Sequence, residues 1–506
     1  MELLNVNIPS WSDMAHWLPE AVLCLTFLAA LIGDLIVRGR RPIVPFIISV
    51  IGLLLAGFYT IQGLGGPAQT IMGDLMIVDG MAAFFRLLFI FTGLATVLFA
   101  WTSEEIMGKG RENKGEFFAL TVMMTAAMCV MAEAKDMLML FLSMEGLGLI
   151  SYVMAGYMRG SLRSTEASLK YVLFGAVSSG IMLYGLSLLF GMTGSMSFGG
   201  MRTAIMAGGV EPFGLLVAVI LVLAGMSYKI AAVPFHFWCP DVYEGAPTPV
   251  AALFSVGPKA AGFALMIRFF YTTLAAGPDA AASSGIIAQI NWPLLLSVVS
   301  AVTMTYGNLV ALRQENVKRL LAYSSIAHVG YLLMGFILMS EAGLIAILFY
   351  LLVYTLMNLG AFFYVTAINN HIKSEELADY RGIGFRAPWA GAMMVIFLAS
   401  LTGVPPFAGF IGKFYLFAAA MDRELYWLVI VAGLNSVVGL YYYFKVVRAL
   451  FLVTPDEGAD NSPLKLHWLQ YVVLAVCAIP TLGLGLFFGQ ATELAETAIR
   501  LLSAGL

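Results

Sequence analysis

The sequence predicts an all-α polytopic membrane protein of about 14 transmembrane helices, with two inverted five-helix repeats that each contain a proline-broken helix. Three observations carry the membrane assignment. Of 506 residues, 60% are hydrophobic and 11% charged, with a mean hydropathy of +0.90, far outside the range of water-soluble domains. The apolar residues fall in stretches long enough to cross a bilayer, about 20 residues at 1.5 Å each. The 27 lysines and arginines are also split unevenly between alternate loops.

In chain order the apolar stretches run 18–37, 43–63, 76–101, 116–134, 136–157, 166–191, 212–238, 248–273, 291–312, 317–339, 342–369, 388–421, 424–445 and 466–490. No basic segment precedes the first, so it reads as a true span rather than a cleaved signal. One set of alternate loops holds 17 basic residues: Arg38, Arg40, Arg41, Lys109, Arg111, Lys114, Arg159, Arg163, Arg313, Lys318, Arg319, Lys373, Arg381, Arg386, Lys445, Arg448 and Lys465. The other set, with both tails, holds Lys135, Arg202, Arg423 and Arg500. Cytoplasmic loops carry the excess, so both termini are expected on the non-cytoplasmic side.

The loops are short, leaving no soluble domain for a nucleotide or flavin. Cys24, Cys129, Cys239 and Cys477 are scattered without CxxC spacing, so no iron–sulfur cluster, disulfide framework or other metal site is expected. The net charge of -3 and the lack of a basic patch exclude a nucleic-acid partner.

Pro234 interrupts the seventh span, 221–238, LVLAGMSYKIAAVPFHFW, and should free the carbonyl of Ile230. Pro405 and Pro406 interrupt the twelfth, 401–417, LTGVPPFAGFIGKFYLF, five spans later. If spans 4–8 and 9–13 are equivalent units, an odd number of helices forces opposite orientations, the inverted-repeat plan of many transporters. The expected divisions are 1–115 for the first three helices, 116–273 and 291–453 for the two units, and 454–506 for the last helix and tail.

Six basic residues lie inside spans: Arg86, Lys170, Lys229, Lys259, Arg268 and Lys413. A charge at the bilayer centre costs about 3 kcal/mol on insertion scales, so each needs a partner or a function. Glu145 lies near mid-depth of the fifth span, and Lys170 is its nearest candidate partner in sequence, as a proton-path pair or a static packing pair. Lys229 precedes the first break; movement of Glu145 relative to it would change its hold on a proton. Lys259 follows Pro258, which should free the carbonyl of Phe254. Mid-span His328, with Tyr323, Ser324 and Ser325 one turn away, is a candidate link between the halves or a satisfied core histidine. His236 is a relay, or simply satisfies carbonyls released by the break. Lys413 reads as the mirror of the Lys229 site and as the exit. Arg86 and Arg268 read as structural, Asp34 and Asp79 as interfacial, and the methionines and tyrosines as packing and belt residues.

Several of these segments also carry a family likeness. DMLMLFLSMEGLGLISYVMAGY around Glu145, SLKYVLFGAVSSGIMLYG around Lys170, YKIAAVPFHFWCPDVYEGAPTPV after Lys229, SVGPKAAGFALMIR around Lys259, NLVALRQENVKRLLAYSSIAHVGY around His328 and LTGVPPFAGFIGKFYLF around Lys413 are the segments concerned. Over nearly its full length the chain resembles the antiporter-like membrane subunits of respiratory complex I. That resemblance implies fourteen helices, two inverted units and a hydrated polar axis, with Glu145, Lys170, Lys229, Lys259 and Lys413 as its titratable residues. It also implies proton translocation in a bacterial inner membrane, as part of an NADH:quinone oxidoreductase. FMN, iron–sulfur clusters and quinone would be held elsewhere in the complex, and the partners would be the other membrane subunits and lipid. Lys413 sets the chain apart from relatives with glutamate there, and its expected end soon after the last span sets it apart from relatives with a long lateral helix. A subunit of a multi-subunit sodium/proton antiporter and a non-pumping scaffold are the alternative readings.

Overall fold

A computed structural model describes residues 11–37, 42–108, 114–274, 292–453 and 462–503. Arg38, Arg40, Arg41, Lys109 and Arg111 of the basic loops, and the link 275–291 between the expected units, lie outside the described residues.

Thirteen helices among the described residues are long and apolar enough to cross a membrane. The first three are α1 (Leu18–Val37), α2 (Ile43–Gln62) and α3 (Gly80–Ala100). Residues 76–78, read as the start of the third span, are instead β2 (Met76–Val78) of a short hairpin with β1 (Gln69–Ile71), after which Asp79 caps α3 by accepting from the amide of Ala82. Next come α4 (Lys114–Glu133), α5 (Met137–Ala155), α6 (Leu162–Thr193), α7 (Pro212–Ile230), the short α8 (Trp238–Gly245) and α9 (Thr248–Thr273). A second series follows: α10 (Trp292–Ala311), α11 (Val317–Ile337), α12 (Glu341–Ile372), α13 (Pro388–Thr402), α14 (Ala408–Asp422) and α15 (Tyr426–Phe451). The sequence-predicted span 388–421 is thus two halves of 15 residues each. Helices α16 (Trp468–Leu486) and α17 (Gly489–Ser503) end the chain, the latter packed on α3 and α12.

The two series match in length. Helices α6 and α12 have 32 residues each, and α9 and α15 have 26 each. Both broken helices also end their first halves alike. At Ala231 and at Gly403 the backbone turns left-handed, with φ of 61° and 87°, and the next amide bonds back to a carbonyl five residues earlier: Ala232 to Ser227, Val404 to Ala399. This reversal satisfies carbonyls that a broken helix would otherwise leave bare in an apolar medium. Pro234 and Pro406 follow in equivalent places, each after a cis peptide bond.

Helices α9 and α11 form the centre, buried along their whole membrane-spanning windows. Glycines bring their neighbours close. A Cβ on Gly330 of α11 would stand 2.6 Å from the amide nitrogen of Met304, and one on Gly307 of α10 2.6 Å from that of Ala327, so the two backbones touch directly behind His328. By contrast α1, α2 and the outer faces of α5 and α6 expose rows of leucine, isoleucine and valine, as a lipid- or partner-facing surface must.

Candidate functional site

Glu145 stands midway along α5 and accepts a hydrogen bond from Ser179 of α6. It lines a cavity of about 420 Å³ between α5 and α6 with Tyr152, Ser168 and Val172. The expected ion pair of Glu145 with Lys170 does not form. Lys170 reaches Glu166, one turn back on α6, at 2.7 Å and Asp241 of α8 at 2.5 Å. Asp241 in turn accepts from Arg319 of α11 at 2.8 Å, and Arg319 holds Glu244 at 2.6 Å. Sequence proximity pointed to Glu145, but the return of the chain after the break brings a nearer carboxylate to Lys170. The cluster ties the first series of helices to the second.

Lys229 lies in the last turn of α7, 2% exposed, with no hydrogen bond to its Nζ among the described residues. Glu145 is the carboxylate whose charge acts on it. Tyr228 beside it donates to the carbonyl of Tyr171, and Trp238 donates to the carbonyl of Tyr228, so the end of α7 is pinned from both sides of the break. The helix stops at Ile230, as the proline requires. His236 does not take up the released carbonyls: it is 2% exposed, its ring meets that of Tyr306 edge-on with centroids 4.4 Å apart, and among the described residues neither ring nitrogen has a partner of hydrogen-bonding geometry. Thr303 of α10 accepts from the amide of Val233, a donor within the break.

Pro258 does free the carbonyl of Phe254, and the hydroxyl of Tyr243 donates to it at 2.9 Å, so α9 runs on unbroken. Lys259 donates to Ser325 of α11 at 2.6 Å. Ser325 also accepts from Tyr354 of α12 at 2.8 Å, and the Tyr354 ring lies 5.1 Å from that of His328. The imidazole nitrogens of His328 pair with Tyr350 at 2.6 Å and Tyr443 at 3.1 Å, and Tyr443 pairs with Ser324. Tyr323 points elsewhere, toward Tyr306.

Lys413 lies on α14, beyond the second break. It donates to the carbonyls of Leu401 and Thr402, at 3.2 and 2.9 Å, and to Ser436 at 3.3 Å, with its ammonium 4.6 Å above the ring of Tyr331. It is therefore not the mirror of Lys229. Measured from the left-handed residue of each break, the place of Lys229 is filled in the second helix by Leu401, and the place of Lys413 is filled in the first by Asp241. Both Lys259 and Lys413 stand close enough for their charges to act on His328.

A family described as "NADH:quinone oxidoreductase/Mrp antiporter, TM" matches residues 134–439. The chain is 43% identical over 491 residues to NADH-quinone oxidoreductase subunit N 2 of Chloroherpeton thalassium, covering 96% of this chain and 95% of the relative. To subunit N of Chlorobium chlorochromatii it is 42% identical over 498 residues, covering 98% and 96%. The chain belongs to this antiporter-like family. A chain of respiratory complex I from Thermus thermophilus with bound aureothin superposes with a TM-score of 0.77 at 30% identity, over 94% of this chain and 99% of that one. A chain of the Mrp complex from Dietzia sp. shares the fold, with a TM-score of 0.79 at 21% identity, over 95% and 97%.

In this member of the antiporter-like family, sequence reasoning passed over the tyrosines. Tyr350 and Tyr354 stand four apart on α12, one helical face aimed at His328, and that spacing is the signal that separates them from belt residues. Asp241 and Arg319 were hidden because both read as loop charges. Asp79, read as interfacial, is 4% exposed and paired with Arg268. Arg86 and Arg268 do pair with carboxylates, as the structural reading expects.

Proposed function

We propose that the chain is the N-type subunit in the membrane arm of an NADH:quinone oxidoreductase and translocates protons, driven by quinone reduction in other subunits. Its partners are neighbouring membrane subunits; FMN, iron–sulfur clusters and quinone belong elsewhere in that assembly. The observation that supports this most is Lys229: a buried ammonium in a spanning helix, one turn from a break, with Glu145 rather than any hydrogen-bond acceptor among the described residues to compensate it. An arrangement that only held helices together would pair such a lysine, because an unpaired charge there costs about 3 kcal/mol.

On this reading a proton on Lys229 is held by the field of Glu145 in a medium of low dielectric, and a change in that field moves it on. Lys259, Ser325, Tyr354, His328 and its two tyrosines form the next stretch, and Lys413 ends it. Lys170, held by Asp241, stands beside the basic loops, which we place on the cytoplasmic side, with both termini opposite. The two helix series are five-helix units of opposite orientation, which the matching lengths and matching breaks support.

The test is proton pumping against quinone reduction in membranes carrying the complex with Lys229→Met, its assembly checked. Loss of both activities in an assembled complex is the expected result. Unchanged pumping would remove Lys229 from the path and leave the break as architecture.

A further inference from the structure

Outside the central path, at the end of the bundle where α1 and α3 begin and α4 finishes, two carboxylates converge on one guanidinium. Glu20 of α1 accepts from Arg86 of α3 through both oxygens, at 2.7 Å from Nε and 2.8 Å from Nη2. Glu133, the last residue of α4, accepts from the same Nε at 2.6 Å. Arg86 is 3% exposed and both glutamates are fully buried. The second oxygen of Glu133 has no hydrogen-bond partner among the described residues.

A single N–H shared between two carboxylate oxygens gives each only part of a bond, and two ionised carboxylates around one guanidinium leave one negative charge uncompensated at a buried site. The groups around it do not cancel that charge. Cys24 of α1 and Cys129 of α4 are titratable groups beside it, and a thiol cannot supply a cation. His16 presents its backbone carbonyl to Arg86. The neighbouring Asp79 is occupied by Arg268, which also holds the carbonyl of Ala132. A cavity of about 570 Å³ lined by His16, Tyr59, Asp79 and Arg86 leads up to the cluster.

We propose that Glu20 and Glu133 hold one exchangeable proton between them, a proton-binding site reached through this cavity and separate from the lysine path. The chemistry is simple protonation: one carboxylate and a proton give a neutral carboxyl, whose hydroxyl fills the missing donor position. Two carboxylates around the guanidinium repel an anion, so the ligand is the proton itself.

The experiment is infrared spectroscopy of the assembled complex in membranes, comparing unchanged protein with Glu133→Gln and Glu20→Gln. The difference spectrum of at least one variant should show loss of one neutral-carboxyl carbonyl band, and raising the pH should remove the same band from the unchanged protein. The Glu133→Gln complex should assemble and reduce quinone as before, since an amide replaces a neutral acid at equal size. Loss of a carboxylate band instead in both variants would overturn the proposal. So would failure of both glutamine variants to assemble when Glu133→Asp does assemble, because the negative charge itself would then be required. Removal of the neutral band by sodium at constant pH would show that a metal cation occupies the site and would equally overturn it.

Discussion

The two broken helices have the same backbone and opposite chemistry. Each first half ends in a left-handed residue with the same amide returning five residues back, and each is followed by proline in the same place. Yet the first carries its lysine before the break, without a hydrogen bond among the described residues, and the second carries its lysine after the break, donating to Leu401 and Thr402. Proline and the left-handed turn decide only that a helix stops within the membrane. Which half bears the charge decides whether the ammonium lies in the field of a carboxylate on another helix or bonds the carbonyls the break itself has exposed.

That difference sets the largest expected effect. Exchanging Lys413→Leu with Leu401→Lys gives the second break the arrangement of the first, and pumping by the assembled complex should fall to background. Retained pumping would mean that the half carrying the lysine does not matter. Next comes Tyr243→Phe, which removes the donor that lets α9 continue past Pro258 where α7 and α13 stop. Leaving the Phe254 carbonyl bare should cost about 1–3 kcal/mol, read as a lower denaturation temperature of the complex.

The left-handed residues themselves should respond with opposite sign. Gly403→Ala places a side chain at positive φ, and its Cβ stands 3.0 Å from Cδ of Lys413. A loss of about 1–2 kcal/mol is expected, with a shift in the pH profile of pumping because the lysine is pushed from its carbonyls. Ala231→Gly relieves the same strain in the first helix but adds backbone freedom to the unfolded chain, so a gain below about 1 kcal/mol is expected. Equal signs in the two thermal measurements would end the claim that the caps are equivalent.

Much of the fold was legible because hydropathy reports burial in lipid directly. The limits 18–37 and 248–273 coincide with α1 and α9, and Pro234, Pro258, Pro405 and Pro406 each sit where the helices break or lose a backbone bond. Errors gathered at span ends, where a β-hairpin and Asp79 look like interface and the carboxylates of Glu20 and Glu133 were passed over. Their burial depends on α1, α3 and α4 packing together, which no window of sequence contains.

By itself, then, the sequence determined where most of the membrane-length apolar helices run, the places where helices break, and the charged residues that must be accommodated in lipid, since each follows from local transfer cost and from the missing amide of proline. Only the tertiary structure decided the partners. Lys170 bonds Asp241 rather than Glu145, His328 is held by tyrosines of α12 and α15, and Lys413 turns to its own broken helix. Hydrogen bonds and ion pairs form over about 3 Å between helices far apart in the chain, so which groups meet is fixed by packing and not by spacing along the sequence.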